Sequence, residues 1–196
     1  VMDGNFPTVV SPNPEDRRAL EIGIQQAKKT DADIVLGTDP DSDRVGIAVK
    51  GSDGSYQLVT GNQVGALLMN FILKNTDLSK YSHPAIVKTI VTSELGADIA
   101  RKQGINVFST LTGFKFIGQQ ILGFENSGKG TYLFGFEESY GCLIGTYARD
   151  KDAIVATMAL CEAAAYYKTQ GKTLWDAMIE MYDQYGYYKD DIKSIT

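Results

Sequence analysis

The sequence predicts an α/β protein, a mixed and mainly parallel sheet layered with helices. Three observations carry that expectation. Short continuous apolar runs bounded by turn formers alternate with stretches whose apolar positions recur at helical spacing. The alternation persists along most of the chain, which calls for crossover connections and therefore parallel neighbours. With 196 residues, 43% hydrophobic and 22% charged, the composition is that of a globular chain with one large domain or two small ones, and it excludes a disordered or fibrous protein.

The elements follow in order. Asn13 as cap, Pro14 at the first helical position and Glu15-Asp16 in the first turn predict a helix that turns Leu20, Ile24 and Ala27 inward and ends near Lys28 and Lys29. Residues 32–37 read as a buried strand, 38–43 as a loop and 44–50 as a second strand. After the turn Gly51-Ser52-Asp53-Gly54, residues 56–59 pair back as a hairpin. Asn62 caps a helix through about Lys74, with Val64, Leu67, Leu68, Phe71 and Ile72 on its apolar side. Strand 85–91, helix 93–103 (stopped by Gly104), strand 105–111, helix 114–122 and strand 131–136 come next. Helices over 152–169 and 174–185 close the chain, the second with Thr173 as cap and Asp176 as first-turn acid. A boundary near residue 62 separates 1–62 from 63–186, and 187–196 reads as the start of a linker.

Composition narrows the function classes. With 19 basic against 24 acidic residues the net charge is −5, which leaves no electrostatic footprint for nucleic acid. No apolar run approaches the ~20 residues that cross a bilayer. The amino-terminal residues have neither the basic nor the apolar region of a secretory signal, and the start at Val1 rather than Met points to a piece of something longer. Cys142 and Cys161 cannot form a disulfide framework; they read as small apolar side chains in a reducing cytoplasm. His83, beside Pro84, reads as an exposed loop residue. The late aromatics Trp175, Tyr182, Tyr185, Tyr187 and Tyr188 read as core or linker packing.

Three segments could carry chemistry. In Asp39-Pro40-Asp41-Ser42-Asp43-Arg44, alternating carboxylates follow a buried strand, where ligand sites of α/β folds collect. Their mutual repulsion calls for a counter-charge, and a hard divalent cation with oxygen ligands, Mg²⁺ above all, supplies one. A solvated acidic turn is the competing reading. Position twelve of an EF-hand would be Lys50, so that motif is excluded. Arg44 suits a phosphate held beside the cation, or simply neutralises the aspartates. Thr112-Gly113-Phe114-Lys115 forms a strand-to-helix turn that offers N–H groups to an anion, with Lys115 as an added charge or proton shuttle; a solvated surface lysine is the competing reading. Glu137-Glu138-Ser139, between Gly135 and Gly141, suits sugar hydroxyls or forms a charged surface turn. Asp150 or Asp152 caps the following helix, while Arg149 and Lys151 are candidates to face a phosphate.

Taken together and in this order, the segments resemble the α-D-phosphohexomutases, the phosphoglucomutase/phosphomannomutase family, over essentially the whole chain. Ser11-Pro12-Asn13-Pro14-Glu15 and Arg149-Asp150-Lys151-Asp152 look like its bacterial phosphoglucomutase branch. The family arranges four domains around one cleft. A phosphoserine gives its phosphoryl group to a hexose monophosphate, and the bisphosphate intermediate reorients and returns the other phosphate. The resemblance implies Mg²⁺ on Asp39, Asp41 and Asp43, and Arg44 steadying the phosphoserine. It also implies Glu137 and Ser139 on sugar hydroxyls, with Lys115, Thr112, Gly113, Arg149 and Lys151 toward the substrate. By resemblance, 1–62 is the carboxyl-terminal part of domain 2, 63–186 is domain 3, and 187–196 leads toward domain 4.

Nothing resembles the family's phosphoserine loop or its domain-4 phosphate loop. The expectation is therefore a chain inactive alone, partnered by the enzyme's remaining domains and a hexose phosphate. Apolar surface on the 1–62 side makes paired or swapped copies an expectation as well. Two rivals remain: a haloacid-dehalogenase-type phosphatase with Asp39 as nucleophile and Asp41 as acid, fitted poorly by Asp43-Arg44, and a non-catalytic Mg²⁺- or sugar-binding module.

Overall fold

Helix α1, Arg17–Thr30, turns Leu20, Ile24 and Ala27 inward as its spacing requires, but its cap is Asp16, whose side chain accepts the Arg18 N–H. Asn13 instead accepts the Glu15 N–H in the turn before the helix. Both residues are good caps, and the cap falls one turn later than the sequence suggests. The computed structural model describes residues 3–191.

Strands β1 (Ile34–Thr38), β2 (Val45–Lys50) and β3 (Tyr56–Val59) form an antiparallel sheet in the order β1-β2-β3. Parallel pairing is thus confined to the second sheet. The aspartate loop between β1 and β2 is too short for a crossover, so the chain must return antiparallel. Helix α2, Gly61–Asn75, opens on a capping box between Thr60 and Gln63 rather than on Asn62. The Asn62 side chain accepts the Ser93 N–H at 3.0 Å instead.

A short 3₁₀ turn at Leu78–Lys80 leads to β4 (Pro84–Thr89), α3 (Glu94–Lys102, capped by Ser93), β5 (Asn106–Thr110) and α4 (Phe114–Ser127). Helix α4 runs well beyond Leu122, because Gly123 is tolerated inside it and the left-handed Gly128 ends it. Then come β6 (Thr131–Phe136), the short β7 (Cys142–Ile144), α5 (Ala153–Lys168, capped by Asp152) and α6 (Leu174–Tyr185, with a Thr173–Asp176 capping box). The second sheet runs β5-β4-β6-β7, with β4 parallel to both neighbours and β7 antiparallel to β6.

The layers follow from strand alternation. Val35 and Ala48 face α1, whereas Val45, Ile47 and Val49 face the opposite side. There they share one core with α2, α3, α5, α6 and the near face of the second sheet, including Leu67, Phe134, Phe136, Leu160 and Met178. Each such side chain contributes roughly 1.5–3 kcal/mol on full burial, so this shared layer holds the two sheets in fixed relation. Helix α4 covers the far face of the second sheet through Phe114, Ile117 and Ile121 on Ala85 and Val87.

His83 is exposed, as its polar loop suggests. Cys142 is buried, but Cys161 lies on the exposed side of α5, so only the former is a core side chain. Tyr182 and Tyr185 are buried in the shared core, Trp175 packs at its edge and Tyr187 is exposed. Of the expected linker, 187–191 is irregular, while 192–196, like 1–2, lies outside the described residues. Among the described residues no helix is long and apolar enough to cross a membrane.

Candidate functional site

The aspartate loop hangs between two strand ends. Ser42 adopts a left-handed conformation at its tip, and the Asp39 N–H donates to the Arg44 carbonyl to close its base. The turn brings one carboxylate oxygen each from Asp39, Asp41 and Asp43 within 4.8 Å of one another. Asp39 is buried and well hydrogen-bonded: Oδ1 accepts the N–H groups of Asp43 and Arg44 at 3.1 Å, and Oδ2 accepts Arg44 Nε at 2.8 Å. Burial opposes its charge, yet these donors outweigh it and hold the carboxyl below the usual range. Oδ2, which accepts a single donor, retains a lone pair for a further ligand.

Asp43 is shifted the other way. Burial, with neighbouring Asp39, pushes it up against the opposing pull of Lys151. Its Oδ1 is buried without a hydrogen-bond partner, the Arg44 Nε lying 3.5 Å away. Arg44 also reaches Glu15 at 3.1 Å. An all-oxygen donor set with one unsatisfied buried oxygen fits a hard divalent cation.

A second loop is joined to this one through the backbone. Arg44 forms a bridge with Gly141, and the Val45 N–H donates to the Tyr140 carbonyl at 3.2 Å. That loop, at the end of β6, is closed by the Glu137 N–H on the Gly141 carbonyl at 2.9 Å. Gly61, at the start of α2, lies so close to the Glu138 carbonyl that a Cβ has no space there. The Glu137 carboxylate is buried and accepts the Gly113 N–H at 3.0 Å. Burial pushes its pKa up, while Gly113 and the nearby Lys151 pull it back. Gly113 caps α4 at φ +106°, a conformation that favours glycine, and its N–H is spent on Glu137 rather than offered to an outside anion. Ser139 is half-buried and, with Glu15, Asn62, Glu138 and Tyr140, lines an open groove beside the loop.

The remaining predicted residues are placed less centrally. Thr112 and Lys115 are exposed, the lysine lying 5.0 Å from the Phe116 ring centre. Lys115, Gln119, Arg149 and Asp150 share one shallow pocket on α4. Arg149 and Lys151, expected to face a phosphate, are each paired with a carboxylate, Lys151 with one of the aspartate triad. Arg149 grips both oxygens of Glu125 at 2.7 and 2.8 Å and also donates to the Ala148 carbonyl. Lys151 pairs with Asp43 at 2.9 Å.

A polar network under the second loop went unread in the sequence. Lys88, near the end of β4, is 1% exposed; its Nζ donates to the Thr89 and Thr92 carbonyls and lies 2.9 Å from Glu94. The Thr89 and Thr92 hydroxyls meet at 2.7 Å, and both lie within hydrogen-bond distance of the Glu138 carboxylate, at 3.3 and 3.2 Å. The available signal was a lysine interrupting an otherwise apolar strand, followed by threonines and a glutamate.

Two sheets about a shared helical layer, with an acidic loop zipped to a glutamate loop at their junction, define an α/β protein with a candidate cation-and-polyol site. Residues 60–185 match the phosphoglucomutase/phosphomannomutase alpha/beta/alpha domain III, and residues 1–54 match domain II. The chain belongs to the phosphoglucomutase/phosphomannomutase family.

A phosphoglucomutase of Staphylococcus aureus is 40% identical over 194 residues, 99% of this chain and 34% of that protein. The chain thus spans about a third of the length of the curated relatives it matches. A phosphoglucomutase/phosphomannomutase family protein of Burkholderia thailandensis superposes with a TM-score of 0.67 at 23% identity, covering 84% of this chain and 33% of that one. The N-acetylphosphoglucosamine mutase of Aspergillus fumigatus, solved with GlcNAc-6P and magnesium, gives 0.52 at 16% identity over 81% of this chain and 39% of that one. At these identities the structural likeness is one of fold.

Proposed function

We propose that this chain supplies the cation loop and the sugar loop of an enzyme that interconverts hexose 1-phosphate and hexose 6-phosphate, with glucose the favoured sugar. In this reading phosphoryl transfer runs through a phosphoserine and a bisphosphate intermediate. The observation that supports it most is the backbone pairing of the two loops, Arg44 with Gly141 and Val45 with Tyr140. That pairing holds an acidic triad at a fixed distance from a buried glutamate, as a reaction governed by positioning and charge neutralisation requires.

Each residue then has a physical task. Asp39, Asp41 and Asp43 hold Mg²⁺, which when bound neutralises charge on the transferring phosphoryl group. Arg44, fixed by Asp39 and Glu15, presents its guanidinium toward that phosphate. Glu137 and Ser139 accept and donate to sugar hydroxyls from the loop end. Lys115, exposed at the start of α4, contacts the substrate phosphate or moves a proton, with Thr112 and Gly113 shaping the same edge. Residues 1–62 form the carboxyl-terminal part of the second domain, 63–186 the third, and 187–196 the path toward a fourth. In this reading the serine and the far phosphate loop come from other domains of the enzyme, so the chain alone turns over no hexose phosphate. It acts in the cytoplasm.

Calorimetric titration tests the reading. The chain should bind Mg²⁺ and, more weakly, glucose 1-phosphate; Asp41→Asn should abolish the first and Glu137→Gln should weaken the second. Equal Mg²⁺ affinity in the wild type and Asp41→Asn would remove the triad from the account. A beryllium fluoride adduct on Asp39 would favour the phosphatase instead, and sustained mutase turnover by the chain alone would contradict its dependence on further domains.

A further inference from the structure

Lys151 is no ordinary surface lysine. Only 16% of its side chain is exposed, and its Nζ lies 2.9 Å from Asp43 Oδ2 and 3.2 Å from Asp150 Oδ1. Its stem crosses Gly141 so closely that a Cβ there would collide with it, and the ammonium sits 5.7 Å from the Phe114 ring centre. The backbone reinforces the placement. Just past Lys151, the Ala153 N–H at the start of α5 donates to the Ser42 carbonyl at 3.0 Å, pinning that helix to the tip of the aspartate loop. The side chain is therefore held by Gly141, Phe114 and two carboxylates, with one of those carboxylates belonging to the triad.

We infer that Lys151 is a built-in competitor for the divalent cation: its ammonium shares Asp43 with the metal, steadying the loop in the metal-free state and weakening cation binding by like-charge repulsion. The inference rests on the reading of the triad as a cation site. The charges facing that site are Asp39, Asp41, Asp43, Glu15 and Asp150 against Arg44 and Lys151. Arg44 is hydrogen-bonded to Asp39 and Glu15, and its Nε lies 3.5 Å from Asp43 Oδ1, the oxygen that Lys151 does not meet. Asp43 Oδ2 thus meets Lys151, while Oδ1 is the buried oxygen without a hydrogen-bond partner. A cation taking Oδ1 would face the ammonium across a single carboxylate. The same ammonium favours the charged form of Glu137, so one lysine answers to both loops.

The experiment measures free Mn²⁺ by electron paramagnetic resonance, with Mg²⁺ calorimetry in parallel, on the wild-type chain and four variants. Lys151→Met keeps the apolar stem over Gly141 and removes the charge, Lys151→Gln does so with a polar end, Lys151→Arg keeps the charge, and Asp41→Asn removes a ligand. Both uncharged variants should bind Mn²⁺ about tenfold more tightly, a gain that shrinks as ionic strength rises, while Lys151→Arg stays within about twofold of wild type. Circular dichroism checks that each variant is folded. Unchanged or weaker Mn²⁺ binding in folded Lys151→Met or Lys151→Gln overturns the competition. Equal binding in wild type and Asp41→Asn, or no Mn²⁺ binding by wild type, instead overturns the cation-site reading, and the competition falls with it.

Discussion

The Glu137 carboxylate, at the end of β6, accepts the Gly113 N–H at the cap of α4 at 3.0 Å. One hydrogen bond thereby joins two segments that each looked like a ligand site on its own. A free N–H at a helix start attracts an anion through the helix dipole, and here the chain supplies that anion itself. The glutamate is oriented from behind, and the Glu137–Gly141 loop is tied to α4 as well as to the aspartate loop.

This arrangement makes a pH-dependent prediction. Burial raises the folded-state pKa of Glu137 above its unfolded value, so the native chain binds more protons between the two. Stability therefore falls as pH rises through that interval, and the full cost persists above it. Glu137→Gln keeps an acceptor for Gly113 and removes the charge. It should melt ~1–3 °C above wild type at pH 7.5, with the difference vanishing as pH falls below the ordinary carboxylate range. Calorimetric melts across pH check this. A constant difference at every pH would separate the effect from ionisation.

Much of this was legible locally. The aspartate and glutamate loops stood out because polar residues clustered at the ends of apolar strands, and α6 was bounded correctly because Thr173 and Asp176 satisfy each other within one turn. Long-range facts were not legible. A lysine inside an apolar strand marks Lys88 as unusual, but its partners depend on how the Thr89–Ser93 turn folds back toward Glu94. Strand β7 is short and exists through pairing with β6, and the pairing of Lys151 with Asp43 joins residues far apart in sequence. The Asn62 cap failed for a similar reason: Thr60 offered a complete capping box, leaving Asn62 to bind Ser93.

Cation binding should register as stability. A ligand that binds only the folded chain at a hundredfold excess over its Kd adds about 2.7 kcal/mol. Mg²⁺ should therefore raise the melting temperature of wild type by roughly 5–10 °C at saturation. Asp41 is exposed, so Asp41→Asn should leave the metal-free melt nearly unchanged and abolish the Mg²⁺ shift. Differential scanning fluorimetry with and without chelator gives the comparison; an equal shift in the variant would point to a cation bound elsewhere.

Gly61 tests how tightly the sugar loop is held. A methyl group there meets the Glu138 carbonyl, the Glu138 carbonyl carbon and the Tyr140 nitrogen, all backbone atoms of the loop. Since backbone cannot rotate away as a side chain can, Gly61→Ala must displace the loop at a cost of about 1–3 kcal/mol. Urea unfolding should record that loss, and glucose 1-phosphate binding should weaken along with it. Gly123, whose Cβ would meet nothing, is the control: Gly123→Ala should leave binding intact and match or exceed wild-type stability.

Lys88 should be the most costly single side chain to remove. It donates to two turn carbonyls and pairs with Glu94 while 1% exposed, so truncation leaves unpaired acceptors as well as a cavity. Lys88→Ala should lose about 2–5 kcal/mol, from the cavity and from the Thr89 and Thr92 carbonyls left without their donor. Lys88→Met keeps most of the volume and should lose about half as much. Glu94→Gln, at a half-exposed partner, should cost under about 1 kcal/mol. The Thr89 and Thr92 hydroxyls that meet Glu138 belong to the turn Lys88 holds. Both Lys88 variants should therefore speed amide exchange across 137–141 more than across α1, which is packed on the far sheet. Uniform acceleration over the whole chain would mean that Lys88 serves global stability alone, without a specific hold on the sugar loop.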